Sequence, residues 1–379
     1  MKSKANVYLA SPVFYEISQN PMVSPDLQKK IEELFNELRE IAEVTISPTR
    51  FPSEKELIET VQNNTIDFIG CHISHPITSF ITQIPSVKGI ATSTMGFNHI
   101  HMEPGVLVTH TPSVLDKTVA DFTMALILST LRNIVPLHNG LWAGNWIPGT
   151  KWDLDDQMNH SLDNMVVGII GMGEIGREVV KRLIPWNVQI LYFDLKRDEI
   201  LENQLPNLYY ESNIETIFAQ SDVISLHIPL NAHTKGYVNA ALLKKMKPQA
   251  LLVNTARGGV VNFEDLLQLL ELNEIAIHLA FDVYEPEPIS PEILERFHKI
   301  SKQHPELRFV FIPHNASSDA NTRAKMSIMM LSDLILLAKS KNLQDLAPIH
   351  LIPPQKDLLQ KNAIPPSKIR NYRIFQWWE

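Results

Sequence analysis

Residues 166–183 read VVGIIGMGEIGREVVKRL. A short apolar run enters Gly171-x-Gly173-x-x-Gly176, and apolar residues at helical spacing leave it. A strand leading in and an amphipathic helix leading out are the context a dinucleotide-binding turn requires. Gly171 allows the tight turn, Gly173 lets backbone approach a pyrophosphate, and Gly176 lets the helix pack closely on the strand. The helix amino end, with Glu174 and Ile175 between the glycines, presents free N–H groups and a partial positive charge to phosphate. After that helix the run QILYF ends at Asp194. A carboxylate there, about 20 residues past the glycines, can accept from both ribose hydroxyls and repels a 2′-phosphate. NAD is therefore expected over NADP, with Lys196 and Arg197 next in the chain to soften the preference.

Working outward, the rhythm downstream is regular. Strand-like runs stand at 166–170, 189–193, 223–227, 251–254, 275–281 and 309–312, with helical patterns between most of them. Six such strands predict a parallel sheet with helices on both faces. Upstream, the first ~110 residues alternate in the same way. VYLASPV (7–13) reads as a first strand, and 67–73, 88–91 and 106–108 as later ones. Ser24-Pro25 opens a helix striped by Leu27, Ile31, Leu34, Phe35, Leu38 and Ile41. Ser53-x-x-Glu56 is a capping box before another helix. The stretch 116–134 reads as a helix apolar round most of its surface (Val119, Phe122, Ala125, Leu126, Ile127, Leu131), expected to be buried between two bodies. Residues 345–379 differ: prolines at 348, 353, 354, 365 and 366, and the ending Phe375-Gln376-Trp377-Trp378, predict an extended tail. Its tip suits either a disordered end or docking on this chain or a partner subunit.

At 379 residues the chain has length for two domains. With 44% hydrophobic and 20% charged residues it is not a wholly disordered chain. Cys71 is the one cysteine, which excludes an intramolecular disulfide and a thiolate-rich zinc site. A net charge of −8 disfavours nucleic-acid binding driven by overall charge. No run reaches the ~18 apolar residues of a spanning helix, and the start has no clear apolar core of a signal peptide. A soluble, cytoplasmic protein without a membrane partner is the expectation.

Three polar groups stand at the predicted ends of later strands, where such sheets bind ligands. Arg257, in LLVNTARGGVV, has the fork to hold a carboxylate. FDVYEPEP offers Asp282, Glu285 and Glu287, and FVFIPHNASS offers His314. A histidine beside a carboxylate can hold a proton near neutral pH, and so serve as general acid and base. With an arginine for an anionic substrate and a nicotinamide for hydride, the set suits interconversion of a 2-keto and a 2-hydroxy acid, with no metal.

On these residues the sequence resembles the D-isomer-specific 2-hydroxyacid dehydrogenases, in particular their glyoxylate/hydroxypyruvate reductase branch. The resemblance spans roughly residues 5 to 345. It is carried by STMGFNHI (93–100), VTHTPSVLDKTVADFTMALIL (108–128), the glycine turn, SLHIPLNAHTKGYVN (225–239), NTARGGVV (254–261), DVYEPEP (282–288) and PHNASS (313–318). It implies Arg257 as the substrate-holding arginine, His314 as acid/base, and Glu287 as its carboxylate partner. It also implies Asp282 as the residue orienting the nicotinamide, and Thr118, Pro229, Thr234, Thr255 and Ala256 as cofactor lining. Substrate binding falls to Ile73, Ser74, the Met95 and Gly96 amides, and Arg257. The implied fold is two Rossmann-like, doubly wound parallel sheets. An NAD-binding domain at 115–313 is inserted into a discontinuous, flavodoxin-like substrate domain made of 1–114 and 315–341, and the tail lies outside. Homodimers are usual in such proteins. The chain departs from the family pattern at Asn98, where an aspartate is common, and in IAIHLAF (275–281), which lacks the usual small residues and includes His278. The stretches between Arg257 and Asp282 and between Glu287 and His314 are longer than usual.

An NAD-dependent reductase of small 2-keto acids is the leading expectation. An NAD(H)-sensing corepressor-like protein on the same scaffold is the alternative. A methyltransferase shares the glycine turn and the acidic strand end, but gives Arg257, Glu287 and His314 no role.

Overall fold

The computed structural model describes residues 4–103, 105–340 and 349–356. They divide into two compact units, one formed by the residues up to Leu115 together with those from Ser318 on, the other by Asp116–Ser317.

The first unit holds five strands, β1 (Ala5–Leu9), β2 (Ala42–Ile46), β3 (Phe68–Cys71), β4 (Gly89–Thr92) and β5 (Leu107–Thr109). They pair in the order β2-β1-β3-β4-β5, all parallel. Because side chains alternate along a strand, two apolar layers form. Val7, Leu9, Phe68 and Leu107 face the helices Pro25–Ile41 and Ala320–Lys339, through Ile31, Leu34, Phe35, Leu38, Met330, Leu331 and Leu334. Tyr8, Ile69, Cys71, Ile90 and Val108 face Leu57 and Val61 of the helix Glu54–Asn63. That helix begins at the predicted box, Ser53 and Glu56 capping each other's backbone.

Residues 349–356 continue this unit. The Ile352 N–H donates to Val108 O at 3.1 Å, and the His110 N–H to His350 O at 2.9 Å, an antiparallel addition to the free edge of β5. The Gln355 side chain completes the edge, accepting from the Val108 N–H at 2.7 Å and donating to Val106 O at 2.9 Å. Ile349, Leu351 and Ile352 are buried. The sequence predicts an extended tail over the whole of 345–379. Among the described residues it is extended only to Ile352, after which 353–356 begin a helical turn. Prolines at 353 and 354 fit there, since a first turn needs no N–H from them. The aromatic ending 375–378 lies outside the described residues.

The second unit is a seven-stranded parallel sheet, one strand more than the six expected. β6 (Val166–Ile170), β7 (Gln189–Phe193), β8 (Leu208–Tyr210), β9 (Val223–Leu226), β10 (Leu251–Asn254), β11 (His278–Phe281) and β12 (Phe309–Phe311) run in the order β12-β11-β10-β9-β6-β7-β8. The additional strand is β8, a three-residue edge too short to show a period. In the first unit β2 is hidden in the sequence for another reason: it follows the helix ending at Ile41 without an intervening turn. The 116–134 helix ends at Leu131, where Asn133 takes a left-handed φ of 54°. Among the described residues no single helix is long and apolar enough to cross a membrane.

The altered strand has a packing logic. β11 starts at His278 rather than at 275. His278 is 2% exposed, and its Nδ1 accepts from the Arg308 N–H at 3.1 Å. Burial pulls this imidazole down to about 4, so it sits neutral. The Arg308 guanidinium donates to Leu131 O at 2.6 Å, to Thr130 O at 3.2 Å and to Met158 O at 3.2 Å. It thus supplies a cation to the carboxyl end of the helix Asp116–Leu131.

Candidate active site

The order of strands reverses between β6 and β9, so the loops leaving their carboxyl ends lie side by side, the position where open α/β sheets take ligands. The glycine turn occupies it. Gly171 has a φ of +100°, and a Cβ on it would stand 2.6 Å from His227 O. A side chain there is barred twice, by strain and by contact. A Cβ on Gly176 would overlap Gly171 O, which is why the helix Glu174–Leu183 lies so close to β6. Gly173 meets nothing within 4 Å, leaving open space above the turn. It is also that helix's N-cap and makes no side-chain cap hydrogen bond, and the positive end of the helix dipole faces the turn. This turn fits a pyrophosphate.

Asp194, after β7, accepts from the Met172 N–H at 2.6 Å and thereby braces the turn. Arg197 is engaged elsewhere: Nε and Nη2 grip Glu202 at 3.0 and 2.8 Å. Thr234 Oγ1 donates to Pro229 O, closing the loop after β9. Thr255 Oγ1 lies 2.9 Å from Thr123 Oγ1, within the helix that carries Thr118.

The loops leaving β10, β11 and β12 share one sheet edge, because the three strands are adjacent and parallel. They bring together the arginine, carboxylates and histidine singled out above. His314 Nδ1 meets Glu287 Oε1 in a short hydrogen bond. Both side chains keep partial access to solvent, 27% and 34%. Since a carboxylate only accepts, Nδ1 carries the hydrogen, and Nε2 is the ring nitrogen left for proton transfer. Arg257 is half-buried, and burial draws its guanidinium below the usual range while the Glu287 charge opposes this.

Two residues hold these loops in ways the sequence does not announce. Asn254, fully buried, donates from Nδ2 to Arg257 O at 3.0 Å and accepts at Oδ1 from the Ala256 N–H at 3.0 Å. It clamps the turn on which Arg257 rides. Asp282, 1% exposed, accepts from the Asn315 N–H at 2.7 Å and the Ala316 N–H at 2.9 Å, while its own carbonyl accepts from the His314 N–H at 2.9 Å. Burial pushes the Asp282 carboxyl upward, opposed by these N–H groups and by His314 nearby. Its visible work is to fix the turn that presents His314.

In the first unit, Met95 and Gly96 follow β4. Thr94 Oγ1 donates to Gly96 O at 2.6 Å, and His110 Nδ1 lies 2.8 Å from Met95 O. Both carbonyls are thus taken, and among the described residues neither N–H of this pair has an acceptor. Ile73 and Ser74 follow β3 in an exposed turn, Ile73 being 43% exposed.

A family model described as D-isomer specific 2-hydroxyacid dehydrogenase, NAD binding domain, matches residues 124–316. A glyoxylate reductase of Thermofilum pendens is 33% identical over 314 residues, covering 80% of this chain and 88% of that protein. One of Pyrococcus furiosus is 30% identical over 318 residues, covering 82% and 90%. The crystal structure of the TT0316 protein from Thermus thermophilus is similar with a TM-score of 0.70 at 26% identity, over 87% of this chain and 96% of that one.

Proposed function

Since this chain belongs to the D-isomer specific 2-hydroxyacid dehydrogenase family, we propose that it is an NAD-dependent reductase of small 2-keto acids, with glyoxylate and hydroxypyruvate as first substrates. The His314–Glu287 pair beside Arg257 carries the reading. NADH on the glycine turn would supply the hydride. His314 Nε2 delivers the proton to the carbonyl oxygen and takes it back in the oxidative direction. Glu287 fixes its tautomer through Nδ1, and the Arg257 fork holds the substrate carboxylate. The Met95 and Gly96 amides, without acceptors among the described residues, are a further candidate for holding an anionic substrate. The small acids are favoured by the relatives' names.

NAD over NADP is supported by Asp194 and by the commitment of Arg197 to Glu202, which leaves that guanidinium unavailable to a 2′-phosphate. Steady-state oxidation of NADH against glyoxylate, hydroxypyruvate, pyruvate and phenylpyruvate, repeated with NADPH, tests both points. The expected result is turnover on the smaller acids, with kcat/KM for NADH at least ~10-fold above NADPH, about one unfavourable charge contact. NADH binding without turnover on any acid overturns the reading and favours the sensor.

A homodimer belongs to the same proposal. The helix Ile134–Trp142 buries none of its residues, and Leu141, Trp142, Trp146, Ile147, Trp152 and Leu154 are all more than half exposed. From 133 to 150 the chain carries no Lys, Arg, Asp or Glu. An uncharged, exposed apolar surface of this kind suits burial against a second copy. Light scattering is expected to give twice the 43.1 kDa chain mass, and Trp142→Glu to give the monomer. A monomeric wild-type protein refutes this part.

A further inference from the structure

The loop after β3 is organised by two histidines with complementary hydrogen bonding. His75 is fully buried. Its Nε2 lies 2.9 Å from Arg50 O, and a carbonyl can only accept, so Nε2 carries the hydrogen. Nδ1 is then a bare acceptor, and it takes the His72 N–H at 3.1 Å. The His75 N–H returns to His72 O at 2.9 Å, which closes the turn. His72 repeats the device, its Nδ1 accepting from the Ser74 N–H at 3.2 Å. The two rings stand 3.8 Å apart between centroids, edged by Phe14 and, at His72, by Phe51. Protonating either imidazole would turn its acceptor into a donor aimed at an N–H. Burial keeps both below their usual range, His72 falling to about 3 with the charges of His75, His99 and Arg323 adding to the effect. Ile73 and Ser74, the exposed residues of the turn, are thus presented by a frame of neutral rings and backbone.

We propose that His75 is a positioning residue for substrate: its Nδ1, by accepting from the His72 N–H, sets the backbone that offers Ile73 and Ser74 to the 2-keto acid. This rests on the keto-acid reading above. A pair of variants separates the bond from mere filling of space. In His75→Asn, Oδ1 hangs from Cγ as Nδ1 does and accepts from the His72 N–H, while the link to Arg50 is lost. In His75→Gln, Nε2 reaches Arg50 O, but no acceptor stands where Nδ1 was.

The measurements are KM and kcat for the preferred keto acid, NADH affinity, and melting temperature for each variant. The Gln variant is expected to raise KM about tenfold, the worth of one buried hydrogen bond, with kcat and NADH affinity unchanged. The Asn variant is expected to stay within about twofold of wild type, a difference small beside that bond. Equal KM in both variants and wild type overturns the proposal, as does an equal rise in both, which marks a purely structural residue. Should neither variant fold, His72→Asn and His72→Phe put the same question to the Ser74 N–H: a rise in KM for Phe alone supports the loop frame, and equal values overturn it. Wild-type enzyme inactive on every keto acid overturns the functional reading and this proposal with it. Wild-type turnover with an unchanged KM in the Gln variant overturns this proposal alone.

Discussion

Replacing His314 by glutamine is expected to lower keto-acid turnover by ~10²–10⁴-fold, the usual contribution of a positioned acid/base, and to leave NADH affinity unchanged. The substitution is close in size, its amide standing where Nε2 was while the Nδ1 bond to Glu287 is given up. It cannot deliver a proton. Three features argue that the loss falls on chemistry rather than on folding. His314 sits at a left-handed φ of 50°, a backbone cost that the fold already bears with a non-glycine residue there. Its N–H is held by Asp282 O, and the next two amides by the Asp282 carboxylate, none of which involves the imidazole. The glycine turn and Asp194 lie at the opposite side of the strand reversal, after β6 and β7. Steady-state kinetics with a parallel NADH titration check the claim. Turnover near the wild-type value would remove His314 from the proton's path, and a lost NADH affinity would mean that the turn, not the imidazole, had been damaged.

Much of this arrangement is readable without coordinates because it is local. The glycine turn, Asp194, and the strands β6, β7 and β10 declare themselves within a few residues, by period and by turn chemistry. Arg257, Glu287 and His314 stand beside strand ends and are recognisable from residue type. What escapes depends on partners distant in sequence. Asn254 looks like the polar end of a strand until its amide is seen to bracket the Arg257 turn. Asp282 reads as a residue for a nicotinamide, yet its oxygens hold amides 33 and 34 residues away. His72 and His75 look like ordinary loop histidines, since nothing in HISH says that both rings accept from their own loop. The edge strand β8 and the docked segment 349–356 stay hidden for a related reason: three residues show no period, and an antiparallel addition is decided by the strand it joins.

The other large effect is expected at a glycine, through contact alone. A Cβ at Gly258 would overlap the carbonyl of Tyr284 and crowd its Cα. Backbone on both sides is fixed, which leaves no cheap relief. Tyr284 is 6% exposed, and its hydroxyl stands 3.0 Å from both Phe281 O and Ile312 O, tying β11 to β12. Its ring packs edge-on against Phe311. Across the contact, Arg257 O is taken by Asn254. Overpacking ordinarily costs about 1–3 kcal/mol where side chains can shift. Here two main chains would have to part, so Gly258→Ala is expected to lose about 3 kcal/mol or more and to displace Arg257, taking turnover with it. Gly259→Ala is the control beside it. The three nearest atoms a Cβ there would meet are the ends of flexible side chains, Glu285 Oε2 and Leu230 Cδ2 at 3.0 Å and Leu230 Cδ1 at 3.2 Å, and both side chains can swing away. That variant is expected to melt close to wild type and to keep its activity. Thermal denaturation and kcat/KM on the two proteins decide the matter. Equal melting temperatures would show that the Arg257 turn is free to move off Tyr284. A stable but inactive Gly258→Ala protein would show that the contact serves the placement of Arg257 more than the stability of the sheet.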